Sequence, residues 1–150
     1  MEKMNKLYNY PAIFYREDDG RFSVIFPDLN HLATYGVDLD DSIRMAMDCL
    51  AGYLHSLILN NGEIPVASNI QNIDDNVIKN ELEELYTDKS RVFVNIISVN
   101  VAEYAEKHFN KSVKKLVTIP QWMADMADAK KLKLSKLLQD AIKEKIQSAY

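Results

Sequence analysis

Paired carboxylates are the first chemistry to look for in this chain. Two or three acids converging on one point can hold a divalent cation and activate water. The aspartates at Asp18, Asp19, Asp28, Asp38, Asp40, Asp41, Asp74 and Asp75 fall mainly at turn-like stretches. Acids in such places cap helices and hold turns more often than they bind metal. His31, His55 and His108 are widely separated, with no ligand spacing and no Ser or Cys partner pattern. Cys49 lies between Ala46 and Tyr53 in a helical pattern, where a buried structural thiol is expected rather than a nucleophile. No Gly-rich phosphate loop is visible. The expectation is a protein with no catalytic set, no metal site and no cofactor.

Binding chemistry is better marked, and it lies near the C-terminal end. Residues 114–119 read Lys-Lys-Leu-Val-Thr-Ile. That alternation suits a strand, in which side chains two apart share a face. Val117 and Ile119 form the apolar face, so Lys114, Leu116 and Thr118 point outward. A two-stranded ribbon fits the DNA major groove. There Thr118 can hydrogen-bond a base edge or touch a thymine methyl, and Lys114 can reach guanine or a phosphate, whereas Leu116 offers only apolar contact. Ser135 reads as the N-cap of a following helix whose free N–H groups suit an anion. Lys136, with Lys133 nearby, adds charge. Lys114, Leu116, Thr118, Ser135 and Lys136 are therefore the candidate DNA contacts. A dimerisation unit with a solvated lysine face is the competing reading, and on spacing alone the two stand about level.

The elements that must position these residues are short. Pro120 stops the strand at a place that suits the start of a helix. Helical patterns follow over about 121–131 and 136–147. Trp122, Met123, Met126, Ala127 and Ala129 form the expected buried stripe of the first. Leu137, Leu138, Ala141, Ile142 and Ile146 form the inner face of the second. A strand and two helices in under forty residues cannot close a core alone, so a partner is needed, most simply a second copy.

Charge divides the chain in the same place. Residues 1–110 carry 9 Lys and Arg against 18 Asp and Glu, a net of −9, while residues 111–150 carry 9 Lys against 4 acids, a net of +5. The basic segment suits phosphate. The acidic one repels nucleic acid and suits a basic protein. With 150 residues, 47% of them apolar, the chain fits one ordinary domain or two small ones. One cysteine excludes an intrachain disulfide and fits a reducing compartment. No signal peptide or long apolar run is visible, so a cytoplasmic, non-membrane protein is expected.

The acidic segment reads as three strands and a helix. Residues 7–15 are rich in β-formers, with Pro11 marking an edge position or an early, unpaired site. Asp19-Gly20 signals a hairpin to a strand over 21–26. A short third strand follows over 32–35, closed by Gly36. Asp38, with Asp41 three residues on, opens a helix of about six turns that ends at Asn61-Gly62. Residues 63–89 read as a surface loop with two helical turns around Ile78, Leu82 and Leu85. Residues 91–99 are a further strand, and Asn100 caps a short helix through Tyr104. Residues 107–112 read as a linker.

Several of these stretches together resemble the N-terminal domain of HicB antitoxins. They are Tyr10-Pro11-Ala12-Ile13-Phe14, Asp19-Gly20 before Phe22-Ser23-Val24, Phe26-Pro27-Asp28-Leu29, the Gly36 turn into a helix, and Asn61-Gly62-Glu63-Ile64-Pro65 with Ser68. The resemblance covers roughly residues 8–68, and the later elements follow in the expected order. It implies an α+β chain: a partial RNase H-like, HicB-like β-β-β-α-β domain over 1–108, and a ribbon-helix-helix (β-α-α) dimerisation and DNA-binding domain over 109–150. It implies an antitoxin that is not an enzyme. The acidic domain would neutralise a HicA-like toxin, a small basic mRNA-cleaving RNase. The basic domain would bind operator DNA as a homodimer or higher oligomer and autorepress. It also implies that a DNA phosphate sits at the second helix's N-terminus. An orphan, phage-borne regulator without a toxin is the alternative, and a metal-dependent RNase H-like nuclease a remoter one. Two departures are specific. Asn30-His31-Leu32 replaces the Pro-Gly-Cys of many members, and Lys130-Lys131-Leu132-Lys133 lacks the Gly often found between the last two helices.

Overall fold

In a computed structural model of the chain, residues 6–146 are described. Four antiparallel strands form one sheet in the order β3-β2-β1-β4. They are β1 (Tyr8–Arg16), β2 (Phe22–Phe26), β3 (Leu32–Gly36) and β4 (Val92–Val99). The helices are α1 (Leu39–Leu59), α2 (Asn76–Leu82), α3 (Val101–His108), α4 (Gln121–Ala129) and α5 (Leu134–Ile146).

β1 lies inside the sheet, paired with β4 from Tyr8 to Tyr15 and with β2 from Ile13 to Arg16. Pro11 therefore sits in an inner strand, not at the sheet's edge. It is tolerated because the β2 ladder begins only at Ile13, so at Pro11 just one neighbour is paired. The hairpin turn places Gly20 at φ +90°, a conformation that favours a residue without Cβ.

Alternation divides β1 between two cores. Tyr8, Tyr10, Ala12 and Phe14 face α1 and pack with Leu50 and Leu54. Ile13 and Tyr15 face the other way, with Ile25 and Ile78. α1 starts as its sequence requires: the Asp38 carboxylate accepts from the Asp41 N–H at 2.8 Å, and Asp41 accepts from Val37 N–H at 2.9 Å. The first turn of α1 presses on Gly36. A Cβ there would lie 2.2 Å from the Ser42 backbone nitrogen. Only glycine fits that approach.

Residues 63–89 do more than connect. Ile73, Val77, Ile78, Leu82 and Tyr86 cover the second face of the sheet, carried on α2 and short 3-10 turns. The segment expected as a surface loop with two helical turns thus makes a thin second cover, and the domain has three layers. Asn30 and His31 both take left-handed φ values, 55° and 57°. Asn tolerates that region better than most residues, and His is among the next best. α3 runs to His108, about a turn beyond the expected end, and Asn100 caps it as expected by accepting from Glu103 N–H at 3.1 Å.

Candidate functional site

The C-terminal segment holds an apolar groove of about 610 Å³. α4 supplies Met123, Met126 and Ala127, and α5 supplies Leu134, Leu137 and Leu138. The chain before α4 adds Lys115, Val117 and Ile119. Lys114, Leu116 and Thr118 are not among the lining residues, so the alternation read from the sequence is kept. Leu116 is fully exposed, at 101% of its reference area.

Residues 110–120 form no strand, against expectation. A β-strand satisfies its N–H and C=O groups through a neighbour, and among the described residues no strand reaches 114–119. The stripe expected to be buried on α4 is also largely open. Trp122 is 65% exposed, and only Ala127 is buried. The inner face of α5 is open too, with Leu138 41% and Ile142 49% exposed. Among the described residues these faces are left without a cover.

Between α4 and α5 the chain turns through Lys131 at φ 53°, while Leu132 N–H donates to Ala127 C=O at 2.9 Å. A lysine thus occupies the left-handed position where glycine would be easiest. The tight reversal starts α5 at Leu134, so Ser135 lies inside the first turn and lines the groove rather than capping the helix. Lys136 pairs with Asp140 at 2.8 Å, one turn along α5. Lys143 reaches Glu106 at 2.9 Å, tying α5 to α3, and that hydrogen bond and charge hold the Glu106 carboxyl below its usual range.

In the acidic part the carboxylates are spent on structure. Asp28 accepts from the Ser68 backbone N–H at 2.8 Å and its hydroxyl at 2.6 Å, fastening the stretch after α1. Asp18 pairs with Arg91, Asp19 with Arg21 at 2.8 Å, and Asp40 with Arg44 at 2.8 Å. Asp74 accepts from Asn76 N–H at 3.0 Å. Among the described residues no three or more His, Cys, Asp or Glu converge as metal ligands would. Cys49 is half-buried, and burial, then the Asp48 carboxylate, pushes its thiol up, away from the reactive thiolate. Among the described residues no helix is long and apolar enough to cross a membrane.

Two tyrosines of β1 also reach backbone groups of distant segments. Tyr10 donates its hydroxyl to Pro65 C=O. Tyr15, fully buried, accepts from the Thr87 N–H at 2.7 Å and the Asp88 N–H at 3.2 Å. Burial works to raise its hydroxyl pKa, but the Thr87 hydroxyl at 3.3 Å, these two N–H groups and nearby Arg91 outweigh it and the net shift is downward. No spacing rule reveals the Asp28–Ser68 or Tyr15–Thr87 contacts, because each pair is separated by 40 or more residues.

A family model described as HicB_like antitoxin of bacterial toxin-antitoxin system matches residues 9–79. Among solved structures, a chain of a toxin-antitoxin complex from Streptococcus pneumoniae is 31% identical. The alignment covers 93% of this chain and 99% of that one, with a TM-score of 0.61. The Burkholderia pseudomallei antitoxin HicB is 19% identical over 95% of this chain and 98% of that one, with a TM-score of 0.45. No curated protein matches.

Proposed function

This chain belongs to the HicB-like antitoxin family of toxin-antitoxin systems, and from that membership we propose a protein that acts on two partners through two domains. Residues 1–108 bind and silence a small basic RNase toxin of the HicA type. Residues 109–150 dimerise as a ribbon-helix-helix and hold promoter DNA, repressing the operon. The protein performs no catalysis of its own and works in the cytoplasm.

One observation carries the DNA-binding half. Val117 and Ile119 line the groove between α4 and α5, while Lys114, Leu116 and Thr118 do not line it. Two such segments pairing would satisfy each other's backbone and present Lys114 and Thr118 side by side to a major groove. The same association would bury the open faces of α4 and α5. Ser135 and Lys136 lie in the first turn of α5, where helix N–H groups suit a backbone phosphate. The toxin half is supported by the −9 net charge of residues 1–110 and by the Streptococcus pneumoniae chain's presence in a toxin-antitoxin complex.

Gel shifts on the chain's own upstream DNA over a salt series test the repressor reading. Each phosphate contact contributes about −0.9 to the log–log slope, so binding should fall steeply with salt. A flat response or no shift would sink it. Co-purification with the product of a neighbouring short basic reading frame tests the toxin reading. Its absence would favour an orphan regulator.

A further inference from the structure

The second cover of the sheet is incomplete, and what it leaves open is a groove. Ser23 and Ile25 of β2 and Ala33 and Tyr35 of β3 form its floor, on the face turned away from α1. Leu82 and Leu85 of the covering segment form its wall. Its volume is about 390 Å³, and Tyr35 and Leu85 are 59% and 58% exposed. The floor ends at β3, which is the outermost strand on that side. The outward backbone edge of β3 therefore lacks a strand partner within the described sheet, as edge strands open to strand addition do.

Charge around this groove is mainly negative. Glu17 and Glu81 stand on its rim, and Asp18, Asp19 and Glu84 line a smaller hollow that shares Glu17, Arg21 and Leu85 with it. Five carboxylates and one guanidinium line the two hollows; Arg21 holds Asp19 at 2.8 Å, Arg91 reaches in to Asp18, and His31 meets Glu81 at 3.1 Å, so the carboxylates still outnumber the cations. Like charges gathered round an apolar floor favour an occupant that brings cations and an apolar anchor together.

We propose that this β2–β3 groove, with its acidic rim, is where the protein docks a small basic protein, seating an apolar anchor on Tyr35 and Leu85 and basic side chains on Glu81 and Glu84. The proposal rests on the toxin-neutralising reading and specifies its surface. It leaves the outer face of α1 and the C-terminal segment free during docking. Toxin and DNA can then be held at once.

The test uses the full chain and the basic protein encoded beside it, carrying a substitution that removes its RNase activity. Binding is measured by calorimetry for the wild type, Glu84→Lys, Glu81→Lys and Tyr35→Ala. Glu63→Lys, an exposed acid in the same acidic domain but outside both hollows, serves as control. The three groove variants should each weaken binding by about tenfold or more, with unchanged circular dichroism, and Glu63→Lys by less than about threefold. Hydrogen exchange of the complex should protect the backbone of residues 33–36 and 81–87. Wild-type binding with equal losses for the control, or protection confined to other residues, overturns the groove. No wild-type binding removes the toxin reading itself, and the groove with it.

Discussion

Leu138→Asp is the sharpest test of the C-terminal pairing. Leu138 lines the α4–α5 groove and stays 41% exposed in the single chain. Fully burying a leucine is worth about 1.5–3 kcal/mol, so covering the part still open is worth about 1 kcal/mol in each protomer. Aspartate forfeits that and places an unpaired carboxylate at the contact in both protomers. An uncompensated buried charge costs several kcal/mol. The expected loss is at least about 3 kcal/mol per dimer, more than a hundredfold in dissociation constant. Sedimentation over a concentration series should show a monomer where the proposed pairing makes the wild type a dimer, and gel shifts should lose the proposed DNA complex. The thermal transition of the acidic domain should stay in place, because Leu138 belongs to neither of its cores. The paired substitution Leu116→Asp, at a fully exposed position, should leave the mass unchanged while removing DNA binding. A Leu138→Asp protein that remains dimeric and binds DNA normally would refute the reasoning.

The other expectations concern the acidic domain. Tyr15→Phe strands the Thr87 and Asp88 N–H groups that its hydroxyl accepts. Both residues are exposed enough for water to replace part of the loss, so urea denaturation should show about 1–2 kcal/mol of destabilisation at unchanged m-value. Gly36→Ala drives a methyl into the Ser42 backbone, and a loss of about 3 kcal/mol or more is expected in the same assay. Burial lowers the pKa of His55 in the folded protein. Below about pH 6.5 the unfolded chain takes up a proton that the folded one resists. Melting temperature should therefore fall as pH drops from 7 toward 5.5, and His55→Phe should flatten that slope. Asp28→Asn weakens the hold on Ser68; it should lower stability by about 1 kcal/mol, and neither it nor the wild type should cleave RNA with Mg²⁺ or Mn²⁺.

Elements whose signal is local were readable from the residues. The 21-residue α1 follows from apolar spacing and the Asp38/Asp41 cap, and the β1–β2 hairpin from Asp19-Gly20. The second cover was not readable, because Ile73, Ile78, Leu82 and Tyr86 ride on one short helix and 3-10 turns with no sustained period. The clue lay elsewhere: in β1, Ile13 and Tyr15 are as apolar as Ala12 and Phe14, and a strand apolar on both faces needs two covers. At residues 114–119 the alternation was legible, and the groove keeps it. The strand itself did not form, since no strand among the described residues pairs with 114–119. Ser135 failed as a cap because the left-handed Lys131 starts α5 a residue before it.

The stretch before the proposed ribbon sets a distance with thermodynamic weight. Phe109 still packs against Tyr104, and only residues 110–113 separate it from Lys114. The five extended steps from Phe109 to Lys114 span at most about 18 Å. On the proposed pairing, each dimer would hold two acidic domains within that leash of the DNA-facing ribbon. Cargo docked on either domain would then sit beside the operator at an effective concentration in the millimolar range. Occupancy of the two surfaces would be coupled by tether length, with no change of shape required in either domain.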